Sequence, residues 1–324
     1  MKAIVYRKNG PPDVLTCEEI SKPVPNAQEV LIKVQAAAVN PLDCHLLKGG
    51  PALFRLLFGR GKLRRPGVDV AGVIEAVAPG VTRFKPGDAV FGTCRGAFAE
   101  YAIASESSLA AKPASVTFED AAACPVAALT ALQGLRDKGK IQPGQSVLIN
   151  GASGGVGTFA VQLAKIFGAN ITGVCSAGNA ELVRSLGANH IVDYTREDFS
   201  KGGARYDLIL DLAGNHSFSA CKHVLGPHGM HVGAGILDGP KSLSVMFGGL
   251  IWALLVSRFS RQKFATYVAK VNRDDLTFIG QLLVSGKLRS VIDKRYTLDE
   301  VPEAMRYQGT WHARGKLVIV LDEQ

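Results

Sequence analysis

Short runs of apolar residues, broken at close intervals by turn residues, fill the first third of the chain. Val30-Leu31-Ile32-Lys33-Val34, Val70-Ala71-Gly72-Val73-Ile74-Glu75-Ala76-Val77 and Asp88-Ala89-Val90-Phe91 each have strand length and β-branched content. Pro66-Gly67, Pro79-Gly80 and Pro86-Gly87 interrupt them, so residues 1–118 are predicted to form a mostly antiparallel β region. Met1-Lys2-Ala3-Ile4-Val5-Tyr6 enters this alternation without an apolar leader stretch, from which a cytoplasmic address is expected. Small residues follow at Ala121-Ala122-Ala123-Cys124-Pro125, and residues 126–135 are predicted as a helix between two domains.

From Gln145 the period lengthens to strand, glycine turn, helix, strand. Residues 146–149, 171–175, 191–192, 207–211 and 230–233 read as strands, and 156–167, 180–186 and 218–224 as helices. Strands that alternate with helices call for a parallel sheet covered on both faces. Residues 314–320 read as an exposed-edge or half-buried strand that rejoins the first domain.

One turn carries chemistry. Ile149-Asn150-Gly151-Ala152-Ser153-Gly154-Gly155-Val156-Gly157 follows an apolar strand and opens an amphipathic helix. Ala152, Gly154 and Gly157 take the three small-residue positions of a dinucleotide fingerprint, and the helix start offers N–H groups to a pyrophosphate. The predicted phosphate cradle is Ser153, Gly154, Gly155 and Val156. About twenty residues on, an NAD site carries a carboxylate for the ribose hydroxyls. Here stands Val174-Cys175-Ser176-Ala177-Gly178-Asn179, with no anion to repel a 2′-phosphate. Ser176 and Asn179 can donate to that phosphate, so NADPH is the expected cofactor, although no Arg or Lys stands in the loop.

Composition adds limits. The 324 residues are 47% hydrophobic and 20% charged, enough apolar material for two packed domains. Six cysteines stand far apart without a CxxC pair or a cysteine-histidine cluster, which fits reduced thiols. A net charge of +9 attracts anions in general and selects no partner.

Over nearly its whole length the chain resembles the quinone oxidoreductase branch of the medium-chain dehydrogenase/reductases. The residues that carry the likeness are Ala37-Ala38-Val39-Asn40-Pro41-Leu42-Asp43, Pro66-Gly67-Val68-Asp69-Val70-Ala71-Gly72, Phe84-Lys85-Pro86-Gly87-Asp88, Gly96-Ala97-Phe98-Ala99-Glu100-Tyr101, the glycine turn, and Gly315-Lys316-Leu317-Val318. The resemblance implies an α/β fold: a GroES-like β domain from residues 1–118 and 288–324, and a Rossmann domain, a doubly wound parallel sheet, from residues 119–287. It also implies hydride delivery from NADPH to quinones, enones or enals. Zinc-dependent relatives place a cysteine where this chain has Asn40, and a His-Glu pair where it has Val68-Asp69. Neither an amide nor an isopropyl group replaces such ligands, one thiol at Cys124 would not hold the ion, and no metal is expected.

By the same resemblance Asn40, Asp43 and His45 are candidate catalytic residues. Asn40 would bind a substrate carbonyl or instead steady the turn before Pro41; Asp43 shares its pocket or caps the following helix; His45 would deliver a proton or lie on the surface. Tyr194 is expected beside the adenosine, Gly214, Gly233 and Ala234 at strand ends beside ribose and nicotinamide, and Lys316 on the cofactor side. The expected partner is a small electrophilic substrate.

Two basic and apolar stretches, residues 48–65 and 245–256 with Arg258, Arg261 and Lys263 behind it, fit a substrate wall, a homodimer contact or a membrane-surface patch. The second is too short to span a bilayer comfortably. A competing reading makes the chain a cofactor-bound protein whose basic surface binds RNA or membrane, with residual reductase activity. It rests on charge alone, since no RNA-binding motif with stacking aromatics is found.

Overall fold

A computed structural model describes residues 1–49, 63–234 and 260–321. Most of the first basic stretch, all of the second through Arg258, and Gly235 lie outside these residues. The chain divides into two compact units, Met1–Leu129 with Lys270–Gln324, and Thr130–Ala269.

The first unit begins with strands β1 (Lys2–Val5) and β2 (Thr16–Glu19), paired antiparallel. The long strand β3 (Glu29–Val39) then runs into helix α1 (Pro41–Lys48). Strands β4 (Asp69–Val77), β5 (Ala89–Thr93), β6 (Tyr101–Ser105) and β7 (Leu109–Ala111) complete this stretch. The chain continues through helices α2 (Phe118–Ala122) and α3 (Pro125–Gln133). Alternate residues of β3 and β4 feed an apolar core with Ile32, Val34, Val70, Ile74 and Phe98 fully or almost fully buried.

In the second unit, strands β8 (Ser146–Asn150), β9 (Asn170–Cys175), β10 (His190–Asp193), β11 (Tyr206–Asp211), β12 (Leu225–Ala234) and β13 (Lys263–Tyr267) form one parallel sheet. Their order is β10-β9-β8-β11-β12-β13, so the sheet reverses direction of growth between β8 and β11. Ligands of open parallel sheets bind at such a reversal, at the carboxyl ends of the strands. Helices α4 (Gly155–Ile166), α5 (Ala180–Leu186) and α6 (Phe218–Lys222) connect successive strands.

The chain returns to the first unit with α7 (Arg273–Val284), β14 (Ile292–Tyr296), α8 (Val301–Gln308) and β15 (Lys316–Val320). The seven-stranded sheet runs β14-β15-β3-β4-β5-β7, with β6 also on β3, and only β14 and β15 pair parallel. This arrangement is the GroES-like domain and the six-stranded sheet the Rossmann domain of the expected α/β fold.

Two expectations differ in detail. Strand β15 is not an edge: it lies between β14 and β3, and Lys316 to Ile319 are buried. The units divide at residues 129/130 and 269/270 rather than at 118/119 and 287/288. Helix α7 belongs to the first unit because it lies against β7, and α2 belongs there because it lies on β3 and β4.

Candidate active and cofactor sites

At the end of β3 the chain turns into α1 with Asn40 as the N-cap. Its backbone N–H donates to Asp43 Oδ2 at 2.8 Å, and the Gly67 N–H donates to Asp43 Oδ1 at 3.2 Å. That leaves the Asn40 side chain to face the sheet. Its Nδ2 donates to Asp69 Oδ2 at 2.9 Å and weakly to the Ala38 carbonyl at 3.4 Å, while its Oδ1 accepts from Lys316 Nζ. Lys316 Nζ also donates to the Val39 carbonyl at 3.2 Å and lies 3.3 Å from Asp69 Oδ2. The other Asp69 oxygen accepts from the Val126 N–H at 3.0 Å. All four residues are 3% exposed or less.

Register explains the meeting: Ala38 pairs with Asp69 on β4 and with Val318 on β15, so three strand ends converge beside Asn40. Two carboxyl groups lie near one ammonium in a dry place, and only Asp69 is bonded to it. Burial pushes the Asp43 carboxyl up to about 7, with repulsion from Asp69 adding to it and the Asn40 N–H and Lys316 opposing. Burial also pushes Asp69 up, against Lys316, Asn40 and the Val126 N–H.

Asn40, Asp43 and Lys316 are therefore brought together, and Asp69, which sequence reasoning treated only as a lost ligand, is the shared partner of Asn40 and Lys316. The Asn40 amide is committed on both ends inside this cluster rather than held out to a ligand. Lys316 points at Asn40 and Asp69. His45 stands apart, half-buried farther along α1, with its ring 6.5 Å from that of Trp311.

In the second unit β8 ends at Asn150 and the glycine turn opens α4, whose N-cap is Gly154. Ser153, Gly154, Gly155 and Val156 are partly exposed, whereas residues 157–164 are buried. Gly157 is a packing necessity, because a Cβ there would lie 2.1 Å from the Gly151 carbonyl oxygen. Gly154 is not: its φ is −78°, and a Cβ would meet only that oxygen, at 3.5 Å.

After β9, Asn179 Nδ2 donates to Ser153 Oγ at 3.2 Å and Ser176 Oγ at 3.3 Å, and its buried Oδ1 has no hydrogen-bond partner. Ser153, Ser176 and Asn179 thus form one cluster at the turn. The structure adds a carboxylate nearby, since Asp193 at the end of β10 pairs in register with Cys175 and accepts from the Ala177 N–H. It is spent mainly on its own turn, accepting from the Thr195 N–H at 3.0 Å and hydroxyl at 2.8 Å, with Arg196 3.9 Å away. Tyr194, next in sequence, is 57% exposed.

At the sheet reversal, Asp211 ends β11 beside Asn150 of β8. Its Oδ1 accepts from Asn150 Nδ2 at 2.8 Å, the Gly214 N–H at 2.9 Å and the Ala213 N–H at 3.2 Å. Burial alone would raise its pKa, but buried His231 3.6 Å away and these donors hold it below the usual carboxylate range. Gly233 and Ala234 are the last residues of β12 itself, not of a turn beyond it. Asp211 and Asn150 were missed by sequence reasoning; polar residues that end two buried parallel strands were the available signal.

Comparison with known proteins gives the family. Residues 26–114 match the alcohol dehydrogenase GroES-like domain, and residues 186–319 match the zinc-binding dehydrogenase family. The chain is 33% identical to a chloroplastic quinone oxidoreductase of Triphysaria versicolor over 316 residues, covering 93% of this chain and 92% of the relative. It is 33% identical to the 2-methylene-furan-3-one reductase of Solanum lycopersicum, covering 98% and 79%. The chain belongs to the quinone oxidoreductase branch of the medium-chain dehydrogenase/reductases. A solved quinone oxidoreductase from Coxiella burnetii superposes with a TM-score of 0.88 at 28% identity, covering 99% of both chains. The protein is accordingly an oxidoreductase that works with a nicotinamide cofactor.

Other members of this superfamily hold zinc, and the donor set here does not fit it. The Asn40 oxygen is taken by Lys316, whose ammonium lies between that oxygen and Asp69, where a dication would meet a fixed positive charge. Val68 offers no donor, and the Cys124 thiol, raised to about 12 by burial, is bonded to the Asp120 carbonyl at 3.1 Å. A dinucleotide does fit: the open side of Gly154, the N–H groups at the head of α4 and the unpartnered Asn179 oxygen form a polar cradle.

Proposed function

We propose that this chain is an NADPH-dependent reductase that delivers hydride to quinones or to the conjugated double bond of enones and enals, without a metal ion. The observation that carries the reading is Gly154, a glycine that the fold does not need, at the head of α4 and beside the Ser153-Ser176-Asn179 cluster. Ser153, Gly154, Gly155 and Val156 would hold the pyrophosphate, the Ser176 hydroxyl, oriented by Asn179, the 2′-phosphate, and Tyr194 would flank the adenosine. Gly214, Gly233 and Ala234 would line the ribose and nicotinamide. When bound, the dihydronicotinamide ring supplies the hydride.

The chain's residues do the rest. Asn40 and Asp43 act as positioning residues, one holding Lys316 against Asp69 and the other fixing the start of α1 to Gly67. Lys316 provides a fixed positive charge that favours the oxyanion formed as the acceptor is reduced. His45, which is not sealed in the cluster, is the candidate for carrying the proton that completes reduction. The named substrates of the relatives, a quinone and a methylene-furanone, share an electron-poor double bond. A cytoplasmic address belongs to the same reading and fits six cysteines that form no disulfide among the described residues.

The test is a panel of quinones, enones, enals and simple alcohols, assayed with NADPH and NADH after treatment with a strong chelator. Reduction of quinones or enones, a lower Kd for NADPH and unchanged rates after chelation are expected. Chelator-sensitive alcohol oxidation would overturn the reading, and an equal or lower Kd for NADH would overturn its cofactor choice.

A further inference from the structure

The loop after β9, Cys175 to Asn179, holds no Arg or Lys, and neutral donors alone bind a phosphate dianion less strongly than a cation does. The neighbouring strand brings one. β10 runs parallel to β9 with Asp193 opposite Cys175, and the Tyr194 N–H donates to the Cys175 carbonyl at 3.3 Å, so the turn after β10 emerges beside Ser176. In that turn the Arg196 and Glu197 N–H groups both donate to the Asp193 carbonyl at 3.0 Å, and the Asp193 carboxylate accepts from the Thr195 N–H and hydroxyl. The backbone under Arg196 is therefore fixed, whereas its side chain is 85% exposed. Arg196 Nε lies 3.9 Å from Asp193 Oδ2, beyond hydrogen-bonding distance, and an exposed pair of that length holds the guanidinium only weakly. The same carboxylate accepts from the Ala177 N–H, so one group connects Arg196 with the residue after Ser176.

We propose that Arg196 is a specificity-determining residue for the dinucleotide, leaving Asp193 to pair with the 2′-phosphate beside the Ser176 hydroxyl. The inference rests on the dinucleotide reading above and adds to it the cation that the loop lacks. Asn179 Nδ2 donates to Ser176 Oγ, which leaves the Ser176 hydroxyl proton to point outward, and a guanidinium presents two parallel N–H groups to a phosphate. A ribose that carries only a 2′-hydroxyl offers no charge, and Arg196 then stays with Asp193. Asp193 opposes the phosphate by its own charge, so moving Arg196 alone does not make the loop cationic; the gain lies in a direct, charge-assisted contact. Arg184 on α5 is a second cation at this sheet end, and its charge acts on the Cys175 thiol rather than on Asp193.

The experiment measures Kd by titration for NADPH and NADH, and for adenosine 2′,5′-bisphosphate and AMP, which carry the adenosine end alone. It is run at pH 7.5, where a phosphate with a second pKa of about 6 is largely a dianion. Arg196→Gln should weaken NADPH and the bisphosphate about tenfold, the worth of one hydrogen-bonded charge, and change NADH and AMP by less than twofold. Arg196→Lys, which keeps the charge and loses the fork, should fall between wild type and Arg196→Gln. Arg184→Gln should leave the ratio of NADPH to NADH affinity within twofold of wild type. Thermal melts without ligand check that each variant is folded.

An equal loss for all four ligands in folded Arg196→Gln would overturn the inference, because a general loss is not recognition of the 2′-phosphate. A wild-type preference for NADPH that survives Arg196→Gln, or that is lost in Arg184→Gln instead, would overturn it while leaving the cofactor reading in place. Wild type that binds NADH as tightly as NADPH, or binds neither, would remove the cofactor reading and this inference with it.

Discussion

Substituting Gly154 by Val separates the two reasons a glycine can stand in a phosphate turn. Its backbone, at φ −78° and ψ 177°, is extended and open to any residue, and a Cβ would come no closer than 3.5 Å to the Gly151 carbonyl oxygen. The fold should lose only about 1 kcal/mol, the cost of a poor N-cap residue. The branched side chain would project into the space that the α4 N–H groups are expected to offer a phosphate. With ligand at one hundred times the wild-type Kd, binding stabilises wild type by about 2.7 kcal/mol. For a protein of this size that is a rise in Tm of about 4 °C, which the variant should not show. Gly157→Ala is the control with the opposite signature, because its methyl would lie 2.1 Å from the Gly151 oxygen and should destabilise the unit with or without ligand. Thermal melts with and without NADPH, with titration calorimetry on the folded proteins, decide the matter. A folded Gly154→Val protein that binds NADPH with wild-type affinity would refute the assignment of the turn as the phosphate site.

Two further outcomes follow from the buried cluster of the first unit. Lys316→Met leaves Asp69 without its counter-charge and should cost about 3–5 kcal/mol in urea unfolding, part of which Asp69→Asn should restore in the double variant; additive losses would show that the two are uncoupled. Asp43 has a folded pKa of about 7, above its unfolded value, so its contribution favours the fold at low pH and is lost as pH rises toward and through 7. The stability difference between wild type and Asp43→Asn should therefore shift against wild type from pH 4.5 to pH 7.5, and a pH-independent difference would contradict the raised pKa.

The order of elements was legible because each buried parallel strand is an apolar run and each crossover helix an amphipathic one, and both patterns are local. Burial of β15 was not, since it depends on β14 and β3, and β3 lies far away in sequence. Helix α7 falls in the first compact unit for a related reason: its pattern announces an apolar face but not that this face meets β7. Motif likeness pointed to Asn40, Asp43 and Lys316, yet Asp69 was seen only as part of a missing ligand pair. A lost ligand set and a new ion pair look alike in sequence, and only the convergence of β3, β4 and β15 distinguishes them. Likewise, Gly154 and Gly157 are the same letter, and their separate reasons appear only when a Cβ is placed on each backbone.

The exchange of a ligand set for an ammonium also bears on which reactions this fold can favour. A metal ion has open coordination positions and acts on a substrate oxygen by direct bonding, which lowers the pKa of a bound alcohol. The Lys316 ammonium has three protons, and Asn40 Oδ1, the Val39 carbonyl and Asp69 Oδ2 lie at hydrogen-bonding positions for all of them. Under the proposed function it would act on a substrate through its field, offset in part by Asp69, rather than through a bond. A field of that kind cannot strip a proton from an alcohol, but it can favour negative charge that the substrate already delocalises. Under the proposed function, acceptors that carry their own electron sink, quinones and conjugated carbonyls, are the ones for which this buried charge is sufficient.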